Sequence, residues 1–415
     1  MSSYGVVEIC AGAGGQALGL EKAGFEHKLA IELDRSACET MRLNRPNWDV
    51  REGDVADREL WNPRAFEGVS LLAGGVPCPP FTIAGKQLGA EDERDLFAWS
   101  IELVNEVQPR ALMLENVRGL SMPRFAGYRQ HVLDRLAELG YVAEWRLLQA
   151  SDYGVAQLRP RFVLVALKPE DAAYFHWPEP EGDPGTVGEL LKDLMAHRGW
   201  EGADEWAKKA DKIAPTIVGG SKKHGGADLG PTRAKRAWAE MGVDALGIKD
   251  HPPEPGERFE VGPKLTVEMV KRIQGWVDEK GFDWTFSGKK TSTYRQVGNA
   301  FPPPVAAAVG SAIIRAFKQE GDRTERESVE HDPIYKALRS SGDFMTQAQL
   351  SREIGADLDA PELERRISLL SRDFDVEIRN GSSTTSYRLG KFRAFTGQED
   401  HARNELFLKN RAKIS

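Results

Sequence analysis

The feature that most constrains this chain is a glycine-rich turn wedged between a strand and a helix near its start. Val6 to Ile9 form a short, largely apolar run that passes without a spacer into Cys10-Ala11-Gly12-Ala13-Gly14-Gly15. Gln16 to Ala23 then carry helical spacing and stop at Gly24. Such a turn lets a ligand approach the backbone closely, with N–H groups and a helix start facing it. The next apolar run, Lys28 to Ile31, ends in Glu32, and a third candidate strand ends in Gly53-Asp54-Val55. Carboxylates at successive strand ends suit ribose hydroxyls. Three strand ends carrying glycine or acid point to an adenosine-containing cofactor.

The alternation continues to residue 167. Val69 to Ala73 read as a buried strand and run into Gly74-Gly75-Val76-Pro77-Cys78-Pro79-Pro80-Phe81-Thr82. The prolines fix φ on both sides of Cys78 and hold a thiol just past the carboxyl end of a strand, where open α/β sheets do chemistry. A small buried cysteine beside a turn would give the same local sequence. Gly85 and Gly89 flank Lys86, and Asp92-Glu93-Arg94-Asp95 lead to a helix starting near Leu96, so this loop is a candidate lid. Ala111 to Leu114 read as a strand ending in Glu115-Asn116-Val117, Tyr128 to Leu139 as a helix, and Tyr141 to Leu148 as an edge strand. Gln157-Leu158-Arg159-Pro160-Arg161 precede the strand Phe162 to Leu167. The sum is an α/β, doubly wound, mostly parallel Rossmann-like sheet.

From Lys168 to Pro263 the chain turns Pro-, Gly- and charge-rich with little periodicity, and Gly219-Gly220-Ser221-Lys222-Lys223-His224-Gly225-Gly226 reads as a basic loop suited to phosphate or base-edge contact, or as a solvated connection. The formal net charge of −7 opposes a nucleic-acid partner, yet residues 207–300 hold 17 Lys and Arg against 12 Asp and Glu, so a basic face is possible. Helical spacing returns over Lys264 to Trp276 and Val305 to Lys318. Beyond the charged, linker-like Gly321 to Glu330, three short amphipathic helices (Pro333 to Ser340, Gln347 to Ile354, Pro361 to Phe374) and a hairpin across Asn380-Gly381 give winged-helix order in a tail that reads as separate. The three cysteines (Cys10, Cys38, Cys78) make no CxxC pair, which argues against zinc and disulfides and for a reducing cytoplasm. No signal peptide or membrane span is read, and no metal site is expected.

In this order the motifs resemble the DNA (cytosine-5) methyltransferase family of bacterial modification enzymes, over roughly residues 4–318. The resemblance rests on Ala11 to Gly15, Glu32, Gly53-Asp54-Val55, the Pro-Cys loop, Glu115-Asn116-Val117, Gln157/Arg159/Arg161, Lys264-Leu265-Thr266 through Arg272, Gln274 and Gly275, and Gln296-Val297-Gly298-Asn299. It implies S-adenosylmethionine as cofactor, contacted by Ala11, Gly12, Ala13, Gly14, Gly15, Glu32, Leu33, Asp54, Val55, Pro77, Leu96, Asn299 and Ala300. It implies double-stranded DNA as partner, met by Lys86, Gln157, Lys222, Lys223 and His224, and a catalytic set of Cys78, Glu115, Arg159 and Arg161. The expected divisions are a catalytic domain (1–167), a target-recognition region (168–263), a return to the catalytic domain (264–320), a winged-helix-like domain (331–394) and a tail (395–415). A monomer is expected, in a restriction-modification or defence setting with a possible cognate nuclease. Three departures stand out. Cys10 replaces the usual phenylalanine, Pro79 follows the catalytic cysteine where glutamine is common, and the region after Gly321 has no counterpart.

The residues also spell out the chemistry. Thiolate addition at C6 makes cytosine C5 nucleophilic, and Glu115, partly protonated by desolvation, can serve N3 while Arg159 and Arg161 orient it. A base stacked in a duplex cannot reach such a thiol, so it must flip out. Two rivals share the fold: an RNA cytosine-5 methyltransferase, disfavoured by the long insertion, and a non-catalytic DNA-binding regulator, disfavoured by the intact Cys78, Glu115 and Arg161. A Rossmann oxidoreductase has no use for the Pro-Cys loop.

Overall fold

The structure, a computed structural model of the 415-residue chain, describes residues 4–77, 94–219, 227–325, 330–381 and 384–392. Cys78, Lys86, Lys222, Lys223 and His224 lie outside the described residues. The first half alternates as β1 (Tyr4–Ile9), α1 (Gly15–Ala23), β2 (Phe25–Glu32), α2 (Arg35–Asn44), β3 (Val50–Glu52), β4 (Leu71–Gly74), α3 (Arg94–Val107), β5 (Ala111–Val117), α4 (Ala126–Glu138), β6 (Val142–Gln149) and β7 (Pro160–Leu167). These strands form one seven-stranded sheet in the order β3-β2-β1-β4-β5-β7-β6. β7 runs antiparallel to both of its neighbours, which leaves β6 at the edge as its sequence suggested. The central strands are buried on both faces, as their continuous apolar runs require. Glu115, Asn116 and Val117 belong to β5 itself rather than following it, because each pairs with β7.

The stretch after β7 is more regular than its composition suggests. It holds α5 (Pro169–Ala172), α6 (Val187–Ala196), α7 (Ala203–Lys209) and α8 (Thr232–Glu240). α6 begins in a capping box: the Glu189 N–H donates to Thr186 Oγ1 at 3.2 Å, and the Thr186 N–H donates to Glu189 Oε2 at 2.8 Å. Val187, Leu191 and Met195 then repeat every fourth residue into a core shared with α9 (Val267–Ile273). α9 is shorter than the expected Lys264 to Trp276, since Thr266 caps its start and Gly275 (φ +96°) lies just past its end. α10 (Lys290–Asn299) and α11 (Pro303–Phe317) follow. The span Lys290–Phe317 is long and apolar enough to cross a membrane, but 67% of its apolar window is buried in this fold.

α11 returns to lie along α1. Glycine makes this approach possible: a Cβ on Gly19 would run into the Pro303 carbonyl and stand 2.5 Å from the Ala306 Cβ, and one on Gly15 would stand 2.5 Å from the Phe301 carbonyl oxygen. The last part of the chain thereby completes the core around the first.

The tail comprises α12 (Pro333–Ser341), β8 (Met345–Thr346), α13 (Gln347–Ile354), α14 (Ala360–Leu370), β9 (Phe374–Asn380) and β10 (Thr385–Phe392), with an antiparallel sheet ordered β8-β10-β9. It is not separate, as its linker-like approach suggested. Ile334, Tyr335, Leu338, Ile367, Leu370, Phe374 and Phe392 join one hydrophobic core with Phe97, Tyr128, Val132 and Leu136 of α3 and α4. Gly127 opens α4 to this contact, because a side chain there would collide with Leu370.

Close packing of α1 on α11 predicts that Gly19→Ala destabilises the fold by about 1–3 kcal/mol, the usual cost of overpacking. Urea unfolding measures it, and an unchanged midpoint would mean that the two helices have room to part.

Candidate active site

The glycine turn is assembled from left-handed backbone. Cys10, Gly12 and Gly14 have φ of 51°, 57° and 90°. The Ala11 N–H donates to the Ile31 carbonyl at 3.1 Å, which ties the turn to β2. Trp284 lies over its other side: indole Nε1 donates to the Ala13 carbonyl at 2.8 Å, and a Cβ on Gly14 would stand 2.6 Å from Trp284 Cζ2. Only at Gly12 would an added Cβ, among these glycines, meet nothing within 4 Å, so the turn opens to space there.

Glu32 closes this cradle. One carboxylate oxygen accepts from the Gly12 N–H at 2.7 Å, and the other accepts from the N–H groups of Leu33 and Asp34 at 2.8 Å each. Burial pushes its pKa up despite these three donors. The Leu33 side chain stands 42% exposed beside it. Ala11 and Ala13 are buried under the turn, Ala300 packs towards Gly15, and Asn299 is exposed at the end of α10. Asp54 and Val55 follow β3: Asp54 Oδ1 accepts from the Ala56 N–H at 2.9 Å, and the Val55 carbonyl accepts from Trp61 Nε1 at 2.7 Å. Leu96 is buried in the core with Phe97, and Pro77 is exposed three residues past β4.

At the carboxyl end of β5 lies a buried ion pair. Arg161 Nε is 2.6 Å from Glu115 Oε1, close but not aligned as a hydrogen bond. The antiparallel register sets Arg161 against Val117 and Glu115 against Val163, so the two side chains are diagonal neighbours on one face. The other Glu115 oxygen faces Gly75, where an added Cβ would stand 3.6 Å from it. Asn116 Nδ2 donates to the Val76 carbonyl at 3.2 Å and knits β5 to the segment that leads to Cys78. Burial pushes the Glu115 carboxyl up; Arg161 and, less, Arg159 oppose this without reversing it. The result is a buried acid whose protonated form is favoured, at the carboxyl end of β5.

Two sequence expectations change here. Arg159, expected in catalysis, is 1% exposed and spends its donors on backbone: Nη1 on the Ile217 carbonyl at 2.7 Å, and Nη2 on those of Gly298 and Ala300 at 2.8 and 2.9 Å. It welds three segments rather than facing a substrate. Gln157, expected at DNA, is wholly buried: its Nε2 donates to Gln274 Oε1 at 2.9 Å and its Oε1 accepts from the Ile217 N–H at 2.9 Å. Sequence reading also missed Trp284 and Tyr294. The Tyr294 hydroxyl contacts the carbonyls of Val218 (3.0 Å) and Asp228, on either side of residues 220–226. A Phe282/Trp284 pair at alternate positions in the otherwise polar stretch 278–285, and a tyrosine directly before the Arg295-Gln296-Val297-Gly298-Asn299 motif, were the available signals.

A sheet with a glycine turn over its centre and a carboxylate–arginine pair at its carboxyl edge defines the C-5 cytosine-specific DNA methylases, whose family model matches residues 4–315. The chain belongs to that family and is a DNA (cytosine-5) methyltransferase. It is 67% identical over 416 residues to the type II methyltransferase M.NaeI of Lentzea aerocolonigenes, with 100% of both chains covered. It is 55% identical over 318 residues to the type II methyltransferase M.NgoMIV of Neisseria gonorrhoeae, covering 76% of this chain and 98% of that one. A crystal structure of a Spodoptera frugiperda DNMT2 mutant shares the fold at a TM-score of 0.53 and 18% identity, over 75% of this chain and 100% of that chain.

Removing the Arg159 donors leaves buried carbonyls unpaired, at about 1–3 kcal/mol each. Arg159→Met is therefore expected to lower the thermal midpoint sharply even without substrate, and a native midpoint would contradict the welding role.

Proposed function

We propose that this enzyme transfers a methyl group from S-adenosylmethionine to C5 of a cytosine flipped out of a specific duplex DNA site, through a covalent Cys78 adduct. The observation that carries the proposal is the Glu115–Arg161 pair facing Gly75, three residues before Cys78 in the chain. The cradle fits an adenosine-bearing cofactor: open space over Gly12, the buried Glu32 carboxylate and the exposed Leu33 offer close approach, a hydroxyl acceptor and an apolar surface. When bound, S-adenosylmethionine supplies an electrophilic methyl group. Glu32 and Asp54 hold its ribose and adenine side, and Asn299 and Ala300 border the turn from α10.

Cys78 is the nucleophile. Its thiolate adds to cytosine C6 while the Glu115 proton goes to N3, so no net charge is left on the ring. The C5 carbon of the resulting enamine takes the methyl group as the S–CH3 bond breaks, its electron pair staying on the departing thioether sulfur. Loss of the C5 proton to water, expulsion of the Cys78 thiolate and return of the N3 proton to Glu115 then restore the neutral aromatic ring and the acid. Arg161 orients Glu115 throughout, and the buried setting strengthens each of these contacts. The flipped base costs a few kcal/mol in lost stacking, which contacts from Lys86, Lys222, Lys223 and His224 to the opened duplex offset. Residues 168–263 read the target, and the winged-helix-like tail is an accessory module. The names of the relatives, type II methyltransferases, support a restriction-modification role; action as a monomer in the cytoplasm beside a cognate nuclease is part of the proposal.

With a 5-fluorocytosine duplex carrying the correct site, the last proton cannot leave, and a covalent protein–DNA adduct is expected on denaturing gels. Cys78→Ser is expected to abolish adduct and turnover together, because a hydroxyl is far less ionised than a thiol; turnover at the wild-type rate would sink the covalent route. The Glu115 carboxyl works in its protonated form and its pKa is raised. As pH climbs through that value the proton is lost and addition slows, while the Cys78 thiolate fraction grows, so single-turnover rates should be bell-shaped. Glu115→Gln is expected to remove most activity, and an undiminished rate at all pH would exclude it as the proton donor. For the cofactor, Glu32→Ala should weaken S-adenosylmethionine binding by about 1–3 kcal/mol in calorimetry, whereas unchanged affinity would reject the cradle assignment.

A further inference from the structure

The tail has no part in the chemistry just described, yet it contacts the supports of the catalytic strand ends. Arg129, on α4 and 7% exposed, reaches in two directions. Its Nη1 donates to the carbonyls of Leu120 and Met122 at 2.8 and 2.9 Å, inside the turn that follows Glu115-Asn116-Val117. Its Nε faces His331 Nδ1 at 3.3 Å; burial pulls its pKa down to about 10, and the nearby Asp332 charge opposes that fall without reversing it. The His331 N–H in turn donates to Gln130 Oε1 at 2.8 Å. Burial and the neighbouring guanidinium hold His331 down to about 4, so near neutral pH it meets Arg129 as a neutral acceptor.

The same corner carries a ladder of rings. Phe97 stacks on Trp145 with centroids 5.6 Å apart, Trp145 stacks on Phe162 at 4.8 Å, and the Arg129 guanidinium lies 5.9 Å from the Phe162 ring. Phe162 pairs with Asn116 across the sheet, and Phe97 sits in the first turn of α3, after the Cys78 segment in sequence. Tail residues close the ladder: Phe392 packs on Tyr128 at 5.8 Å, and Tyr128 on Phe97 at 6.2 Å. One block of packed side chains therefore joins the tail to both segments that flank the proposed catalytic pair.

We propose that the tail is a brace for catalysis: His331 and Asp332 fix Arg129, Arg129 fixes the 118–122 turn, and that turn fixes Glu115 and Asn116 at the end of β5. Arg129, His331 and Asp332 are positioning residues that touch no substrate. The inference rests on the reading of Glu115 as proton donor. In this chain the core of α4 is completed by the tail.

The test uses the full chain and its cognate methylation site. Wild-type turnover and 5-fluorocytosine adduct formation come first; failure of both defeats the proposed function itself and leaves the brace to be judged by the position of Glu115 alone. With an active wild type, Arg129→Met is expected to lower kcat and the rate of adduct formation at least tenfold while KM for S-adenosylmethionine and duplex affinity stay within twofold. His331→Ala, a milder change at a half-buried site, should lower kcat several-fold in the same pattern, with His331→Asn restoring part of it by keeping an acceptor. Ile334→Val, which trims the shared core and keeps every polar contact of Arg129, His331 and Asp332, should lower the thermal midpoint and leave kcat within twofold. Wild-type kcat in His331→Ala, or a loss in Ile334→Val as large as that in His331→Ala, would overturn the brace, and the first outcome would do so even if Arg129→Met failed to fold.

Discussion

Arg159 is the contact on which the rest of this enzyme depends. A guanidinium with almost no exposure is costly to bury, and burial pulls its pKa well below the usual arginine value. It is tolerable because both of its Nη groups meet backbone carbonyls, from residues 217, 298 and 300, although Nε finds no hydrogen-bond partner. Those carbonyls belong to the stem before the basic loop and to the end of α10, beside the glycine turn. Two residues along β7, Arg161 holds Glu115. One short strand entry therefore ties together the glycine turn, the Glu115 carboxylate and the stem before residues 220–226.

Much of this was legible in the sequence. The alternation of apolar runs and helical spacing to residue 167 gave the sheet, because strands buried on two faces leave continuous apolar signatures. Glu32 and Glu115 were singled out from their places at strand ends, and burial raises the pKa of both carboxyls. What misled was polarity. Gln157 and Arg159 look like surface residues by type, and only the tertiary carbonyls and the Gln274 amide show why they are inside. Polar side chains enter a core when partners distant in sequence wait for them, and spacing along one chain cannot reveal such partners. α6 was missed for another reason: its Thr186-x-x-Glu189 start was readable, but Pro- and Gly-rich neighbours masked it.

The tail shows the limit of composition as a guide to autonomy. A charged approach suggested a tether between independent bodies. Instead Thr324 N–H donates to the Ala173 carbonyl at 2.8 Å, so the approach itself is laid against the segment that follows β7 and α5. Beyond it, aromatic and aliphatic side chains cover α4, and Gly127 gives Leu370 its place. Hydrophobic burial between the two parts outweighs the polar character of their connection.

The hydrogen bond from Trp284 to Ala13 spans 271 positions of sequence. Together with α11 on α1, it means that the cofactor turn, made from the first fifteen residues, is finished by residues that leave the ribosome after two thirds of the chain has been translated. A nascent chain therefore carries every motif of its first half with an unbuttressed cradle, and chain closure between distant segments is a slow step in folding. Methylating capacity in a cell follows the count of completed molecules, not the rate at which new ones are begun.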